Sequence, residues 1–289
     1  MPSPRIAHLI LAHKSPLQVL DLVQALNCPT MDCYIHIDKK IDRAPFNDLL
    51  DSIPQVFFIQ KRVDIRWAGY GTIQATLNGF DEILKSNRDY HYLHVMSGQD
   101  YPIKSNKHIL KFVTENFGQE FFDLLHDKWP EDIATRYTKY HLINSTIPGK
   151  YVLGGLMTKL LPKRKFPLDG PVWGSSNWFM VTSECAEYLI KKIKGTRSLK
   201  RFFRLVWGAD EFIFINIVRR SSFKDRINKD GIHFMEWEKE DAHAKLLTSE
   251  HLDRLSKSDK LFARKIDISQ DPTITKKLND LIKSGEIID

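Results

Sequence analysis

The chain is poor in cysteine. Only Cys28, Cys33 and Cys185 occur in 289 residues, and no two of them form a Cys-x-x-Cys pair. So sparse and odd a set excludes a disulfide framework and a structural zinc site, leaving reduced, partly buried thiols. Long apolar runs are also missing, and no stretch approaches the roughly 20 residues that a membrane-spanning helix needs. The start, Met1-Pro2-Ser3-Pro4-Arg5, runs directly into an apolar strand. It has neither the longer apolar region nor the small-residue cleavage site of a signal peptide. The expectation is a cytoplasmic protein, soluble or peripheral at the inner membrane. There is no G-x-x-x-x-G-K-[S/T] loop, no G-x-G-x-x-G after the first apolar run, and no internal repeat. No RNA- or DNA-binding module is recognisable, which sets nucleic acid aside as a partner.

What is present suits a globular enzyme-sized domain. Hydrophobic residues make up 42% and charged residues 27%, enough for a core and too apolar for disorder. Lys plus Arg is 43 against 36 for Asp plus Glu, a net charge of +7. That excess favours anionic partners such as phosphates, acidic glycans or a lipid surface. Apolar runs at 6–12, 33–37, 56–59 and 90–96 read as strands, and 178–181 as a later one. Helical patterns alternate with them. One opens at Ser15-Pro16 with Leu17, Leu20, Val23 and Leu26 on its inner face. Others cover 72–84, 185–193, 212–218 and 246–255, the last with Thr248 as cap. The stretch from Gly149 to Pro171 reads as loops. The alternation predicts an α/β fold with a mostly parallel, doubly wound sheet flanked by helices. In such sheets ligands bind beyond the carboxyl ends of the strands. His13, Asp38, Trp67 and Ser97 to Asp100 therefore become candidate site positions. No domain boundary is legible, so residues 1–289 are read as a single domain.

Among the chemistry-bearing residues, Asp210-Glu211 opens a helical pattern. Either acid serves equally as a helix-start residue or as a catalytic base. Arg264-Lys265 reads as a surface pair or an anion site. His36 and Asp38 share a strand face near His8, His91 and His94, a minor zinc alternative to hydrogen-bonded structure. Glu236, Glu238 and Glu240 read as a solvated run. Trp67, Trp129, Trp173 and Trp178 offer faces to sugar rings, with a core role equally open for Trp178. The basic stretch from Lys191 to Arg204 suits either an anionic membrane surface or a solvated helix face with a core stripe.

Seven segments recur in order: Leu11-Ala12-His13; Ile35 to Lys40; Arg66-Trp67-Ala68-Gly69; Ser97-Gly98-Gln99-Asp100-Tyr101-Pro102-Ile103; Gly174 to Phe179; Asp210-Glu211; and Leu261 to Lys265. In these the chain resembles the Core-2/I-branching β-1,6-N-acetylglucosaminyltransferase family, which includes peptide O-xylosyltransferases. The likeness runs from about Ile6 to Asp267. It implies a GT-A-like fold and an inverting, metal-independent transferase that moves GlcNAc or xylose from a UDP-sugar to a glycan or protein acceptor. No cofactor is implied beyond that donor. The absence of any Asp-x-Asp, with which many nucleotide-sugar transferases hold a metal, agrees with this. The resemblance divides the chain into a nucleotide-binding half (about 6–110) and an acceptor and catalytic half (about 111–267). It makes Glu211 the base and Asp210 a helix cap. It assigns Leu11, Ala12, His13 and Asp38 to the uridine, Trp67 to the nucleotide sugar, and Lys265 with Arg264 to the diphosphate. Ser97, Asp100, Asp123 and Arg136 fall to the acceptor side. The family's second diphosphate-binding arginine has no counterpart near Gly231 to Met235; Arg264, His243 or His233 are the substitutes. A non-catalytic glycan- or nucleotide-binding module is the alternative, disfavoured because Glu211 and Lys265 are both kept.

Overall fold

A computed structural model describes residues 4–124, 131–237 and 244–285. Its strands are β1 (Ile6–Ala12), β2 (Met31–Ile37), β3 (Val56–Phe58), β4 (Tyr92–Ser97), β5 (Asp100–Pro102), β6 (Glu120–Leu124), β7 (Ser175–Thr182), β8 (Ile227–Asn228), β9 (His233–Met235) and β10 (Phe262–Arg264). The helices are α1 (Pro16–Ala25), α2 (Ala44–Leu50), α3 (Gly71–Leu84), α4 (Asn106–Glu115), α5 (Thr135–Thr138), α6 (Lys150–Leu160), α7 (Ser183–Gly195), α8 (Arg197–Phe203), α9 (Asp210–Val218), α10 (Leu252–Ser256) and α11 (Ile274–Ser284).

Seven strands form one sheet in the order β3-β2-β1-β4-β7-β6-β8. β3, β2, β1 and β4 run parallel; β7 is antiparallel to both β4 and β6; β8 is parallel to β6. Every residue of β1, β2 and β4 is buried, as expected of strands covered on both faces. Alternate residues of β1 feed opposite cores. Ala7, Leu9 and Leu11 join α3, α7 and α9, while Ile6, Ile10 and Ala12 join α1, α2, α4 and α11. β2 lies on one side of β1 and β4 on the other, so the winding direction reverses beside β1. That reversal opens a crevice at the carboxyl ends of β1 and β4. A second sheet, β5-β10-β9, packs next to it and carries Arg264 on its central strand.

Three elements depart from the sequence reading. α1 buries Val23 and Leu26 and packs Leu20 on the core as expected, but Leu17 is 60% exposed and Gln18, Val19 and Leu22 are buried as well. Gln18 is inside because its amide nitrogen donates to the Gly98 and Ile266 carbonyls, both at 2.9 Å, and its oxygen accepts from Ile268 N–H at 3.0 Å. A fully satisfied buried amide overrides the apolar periodicity. Within 149–171, Lys150–Leu160 is helical. Its apolar side chains face outward, so it shows no core-facing stripe. Residues 246–255 are not one helix: Leu247 bridges to Ile266, Ser249–His251 form a 3-10 turn, and α10 follows. Thr248 does cap that turn, reciprocally with His251. In 191–204 the lysines and arginines are exposed while Ile193, Leu199 and Phe203 are buried, a solvated face with a core stripe. Among the described residues no helix is long and apolar enough to cross a membrane.

Candidate active site

A cavity of about 400 Å³ opens at the crevice between β1 and β4. Leu11, Ala12, His13, Asp38, Trp67, Ser97, Glu211, Arg264 and Lys265 all line it. These residues span more than 250 positions of chain, and the sheet's winding brings them together.

The wall from β1 and β2 is built on backbone pairing. Asp38 N–H donates to the Ala12 carbonyl at 2.8 Å, fixing the two strand ends side by side. The buried Asp38 carboxylate accepts from Lys40 N–H at 3.0 Å and Ile65 N–H at 3.3 Å, and pairs with the Lys40 ammonium at 3.2 Å. His13 is held below the usual imidazole range by partial burial and by Lys14, with Lys265 and Arg264 adding and Asp38 opposing. Three cations therefore bear on this end of the cavity, against the one carboxylate of Asp38.

Lys14, next to His13, and Arg264 and Lys265 from the far wall are the nearby cations. Lys14 pairs with Asp267 at 2.5 Å. Arg264 pairs with Asp100 at 2.7 Å and lies 4.2 Å over the Trp178 ring. The ammonium of Lys265 is pushed below its usual range by burial, by Arg264 and by Lys14, with Asp267 opposing. A half-buried ammonium lowered by neighbouring cations marks a place where an anion would be stabilised.

The acid comes from the start of α9. Gly208 has φ +65°, a conformation that disfavours any side chain. Its N–H donates to the Ala68 carbonyl at 2.9 Å, and its carbonyl accepts from Glu211 N–H at 3.1 Å. That turn lays Glu211 against the cavity. Glu211 Oε2 accepts from Arg136 Nη1 at 2.7 Å, and the same guanidinium stacks 4.3 Å over Trp207. Burial and the neighbouring Asp210 raise the Glu211 carboxyl to about 7, against the pull of Arg136. Asp210 is the first residue of α9; Ala209 occupies the N-cap. The Asp210 carboxyl still meets the free backbone N–H groups of Asp210 and Glu211 and the Thr72 hydroxyl, and burial raises it to about 6.

Three acceptor-side candidates stand off the cavity lining. Asp100 is fully buried and receives Ser97 N–H and the Arg264 guanidinium, both at 2.7 Å, so it holds Arg264 rather than facing a ligand. Asp123 bridges to Asp230, packs against Gly231 and is raised to about 6 by burial. Arg136 reaches the site through Glu211. His233 is buried against Asp100 and cannot replace a diphosphate-binding arginine. Arg264 does line the cavity. Trp129, Glu238, Glu240 and His243 lie outside the described residues, and Glu236 pairs with Arg254 at 2.5 Å. Trp173 carries Arg219 and Arg220 on its ring, away from the cavity. His8 and His94 are buried with their Nδ1 atoms 3.0 Å apart, and burial depresses both. Among the described residues no three His, Cys, Asp or Glu side chains group as metal ligands.

The sequence reading gave no role to several lining residues: Lys40, Thr72, Ser176, Asn177, Trp207 and Trp237. Trp207 has a local cue, because Trp-Gly immediately precedes Ala209-Asp210-Glu211. Trp67 meets it edge-on at 4.9 Å, and Trp67 and Trp237 are both about half exposed.

Residues 6–256 match the Core-2/I-branching enzyme family. The chain belongs to that family. A relative from Homo sapiens, a β-1,3-galactosyl-O-glycosyl-glycoprotein β-1,6-N-acetylglucosaminyltransferase, is 26% identical over 219 residues, which is 74% of this chain and 48% of that protein. The Bos taurus protein of the same name is 25% identical over 218 residues, with the same two coverages. Xylosyltransferase oxt of Drosophila pseudoobscura pseudoobscura is 23% identical over 242 residues, 81% of this chain and 26% of that protein. The chain thus spans about half the length of the first two relatives. A solved structure, 4-diphosphocytidyl-2C-methyl-D-erythritol synthase from Anaerococcus prevotii, superposes with a TM-score of 0.36 at 11% identity over 68% of this chain and 77% of that one. That likeness is too slight to bear on fold or function. The Core-2/I-branching match stops short of Arg264 and Lys265, which join the cavity through β10.

Proposed function

We propose that this chain is an inverting glycosyltransferase that moves GlcNAc or xylose from a UDP-sugar to an acceptor hydroxyl on a glycan or protein, without a metal. The observation that carries the reading is one cavity holding a carboxyl raised to about 7 and, from a distant part of the chain, the crowded cations Arg264 and Lys265. In an inverting transfer the acceptor hydroxyl attacks the anomeric carbon on the face opposite the leaving UDP. Its proton passes to the base as the new C–O bond forms and the bond to the diphosphate breaks. Glu211 is that base. A carboxylate with a pKa near the working pH serves best, and such a base typically contributes about 10²–10⁴ in rate. Negative charge grows on the departing diphosphate, and Arg264 and Lys265 stabilise it most in the transition state. Asp100 is a positioning residue for Arg264. Leu11, Ala12, His13 and Asp38 hold the uridine, and Trp67 and Ser97 border the sugar. The names of the animal relatives supply the two donor candidates. The absence of Asp-x-Asp in the sequence supports protein cations in place of a metal.

The test is UDP release from a panel of UDP-sugars with hydroxyl acceptors, with and without EDTA. Release with UDP-GlcNAc or UDP-xylose that survives EDTA and is lost in Glu211→Gln is the expected result. Loss in EDTA restored by Mn²⁺ overturns the metal-free part. Tight UDP binding without turnover on any donor points to a non-catalytic module.

A further inference from the structure

Helix α6 is inverted relative to an ordinary surface helix. It sits on the rest of the protein by a narrow face centred on Gly154, where an added Cβ would lie 2.8 Å from the Tyr140 carbonyl oxygen. Tyr151, Val152, Leu156 and Leu160 point outward, with exposures of 75%, 78%, 50% and 73%. Ile147 and Leu161 extend this patch at either end of the helix and are also exposed. Contiguous apolar surface of this kind is unfavourable in water unless something covers it.

Along the sequence on either side of it the charge is of one sign. From Ile133 to Leu168 the sequence has no Asp or Glu, and Lys139, Lys159, Lys163 and Lys165 are exposed. A second acid-free stretch, Tyr188 to Ala209, contains α8 with exposed Arg197, Lys200, Arg201 and Arg204. The two stretches are bound together. Buried Arg164 donates to the carbonyls of Lys139 at 3.0 Å, Leu205 at 2.7 Å and Phe202 at 2.5 Å. Asn144 Nδ2 donates to the Arg204 carbonyl at 2.7 Å. The outward apolar helix is therefore flanked by lysines and arginines from both stretches.

We infer that α6 is a membrane-docking helix: its apolar side chains enter the headgroup boundary of an anionic bilayer while the surrounding cations meet the lipid phosphates. Charge complementarity selects this occupant. A second copy of the chain would bring the same cations against themselves, whereas an anionic surface neutralises them, and an apolar helix among basic residues is the usual composition of interfacial anchors. The basic stretch at 191–204 by itself is only a solvated face; the apolar helix beside it makes the surface amphipathic. This surface lies outside the cavity, so its test does not depend on transferase activity.

The experiment is cosedimentation of the full chain with phosphatidylcholine vesicles, with and without phosphatidylglycerol. The triple variant Val152→Ser/Leu156→Ser/Leu160→Ser and the charge reversal Lys163→Glu/Arg201→Glu are run beside it. All five positions are exposed, and circular dichroism checks the fold. Binding only with phosphatidylglycerol, weakened about tenfold or more in each variant, is expected. Failure to bind those vesicles, or equal binding by the serine variant, overturns the inference. So does a concentration-dependent dimer in sedimentation velocity that the serine variant abolishes.

Discussion

In the proposed transfer, the Glu211–Arg136 pair sets the proton affinity of the base through opposing influences. Burial and Asp210 raise the carboxyl, and the guanidinium at 2.7 Å pulls it down, leaving it near 7. The acid limb of kcat/KM should therefore lie near pH 7, and a pH–rate profile checks this. Removing the guanidinium in Arg136→Met should move that limb upward, while Arg136→Lys restores part of the shift. A limb that stays put would detach Arg136 from Glu211. The same raised pKa carries a stability consequence. A carboxyl whose folded pKa exceeds its ordinary 4.5 favours folding below about 4.5, and that contribution is lost as pH rises through about 7. Glu211→Gln removes the cost of holding a buried charge. It should be about 2 kcal/mol more stable than the parent at pH 8 and equal to it at pH 4, read by urea denaturation. Turnover should fall at least a hundredfold in the same variant.

At the scale of elements, two short pieces aim the proposed base and the proposed diphosphate cations. The turn at Gly208 directs Glu211 into the cavity, and β10 presents Arg264 and Lys265 opposite. Lys265→Ala should weaken UDP binding by about tenfold in calorimetry and lower turnover further, since leaving-group charge is greatest in the transition state. Lys265→Arg should rescue partly, because a guanidinium differs in shape and donor geometry. Unchanged UDP affinity in Lys265→Ala would assign the diphosphate to other residues. Asp100→Asn should also weaken UDP binding, through a loosened Arg264. α1 and α6 show where element-level reading fails. Leu17 and Gln18 exchange expected places because three hydrogen bonds from distant residues satisfy Gln18. α6 reads as loop in the sequence because its apolar residues face out, and periodicity locates only helices that face a core.

At the scale of the molecule, the two halves read from the family resemblance do not correspond to two cores. Ala7, Leu9 and Phe80 share one cluster with Phe179 and Phe214, and Ile6, Val19 and Met96 share the other with Phe262 and Leu278. β7, from the later half, pairs directly with β4 from the earlier one. Denaturation followed by tryptophan fluorescence and by circular dichroism should give one coincident transition. A fragment ending near residue 118 should lack cooperative unfolding, since each core would lose the far side of its packing. Two separated transitions would show that the halves fold independently.

Local patterning by itself determined the parallel strands and the helices between them. Continuous apolar runs can be satisfied only by burial on both faces, and strand ends in such a sheet converge on one edge. That logic makes His13, Asp38, Trp67 and Ser97 candidates, the ordered motifs add Glu211 and Lys265, and all six line the cavity. What the tertiary structure alone decided is which charges face one another. Asp100 reads as a strand-end ligand until Arg264, 164 positions later, closes over it. Arg136 reads as an acceptor-side residue until the fold sets it on Glu211. These partners are far apart in sequence, and their energies depend on distance and on exclusion of water, neither of which a local pattern of residues carries.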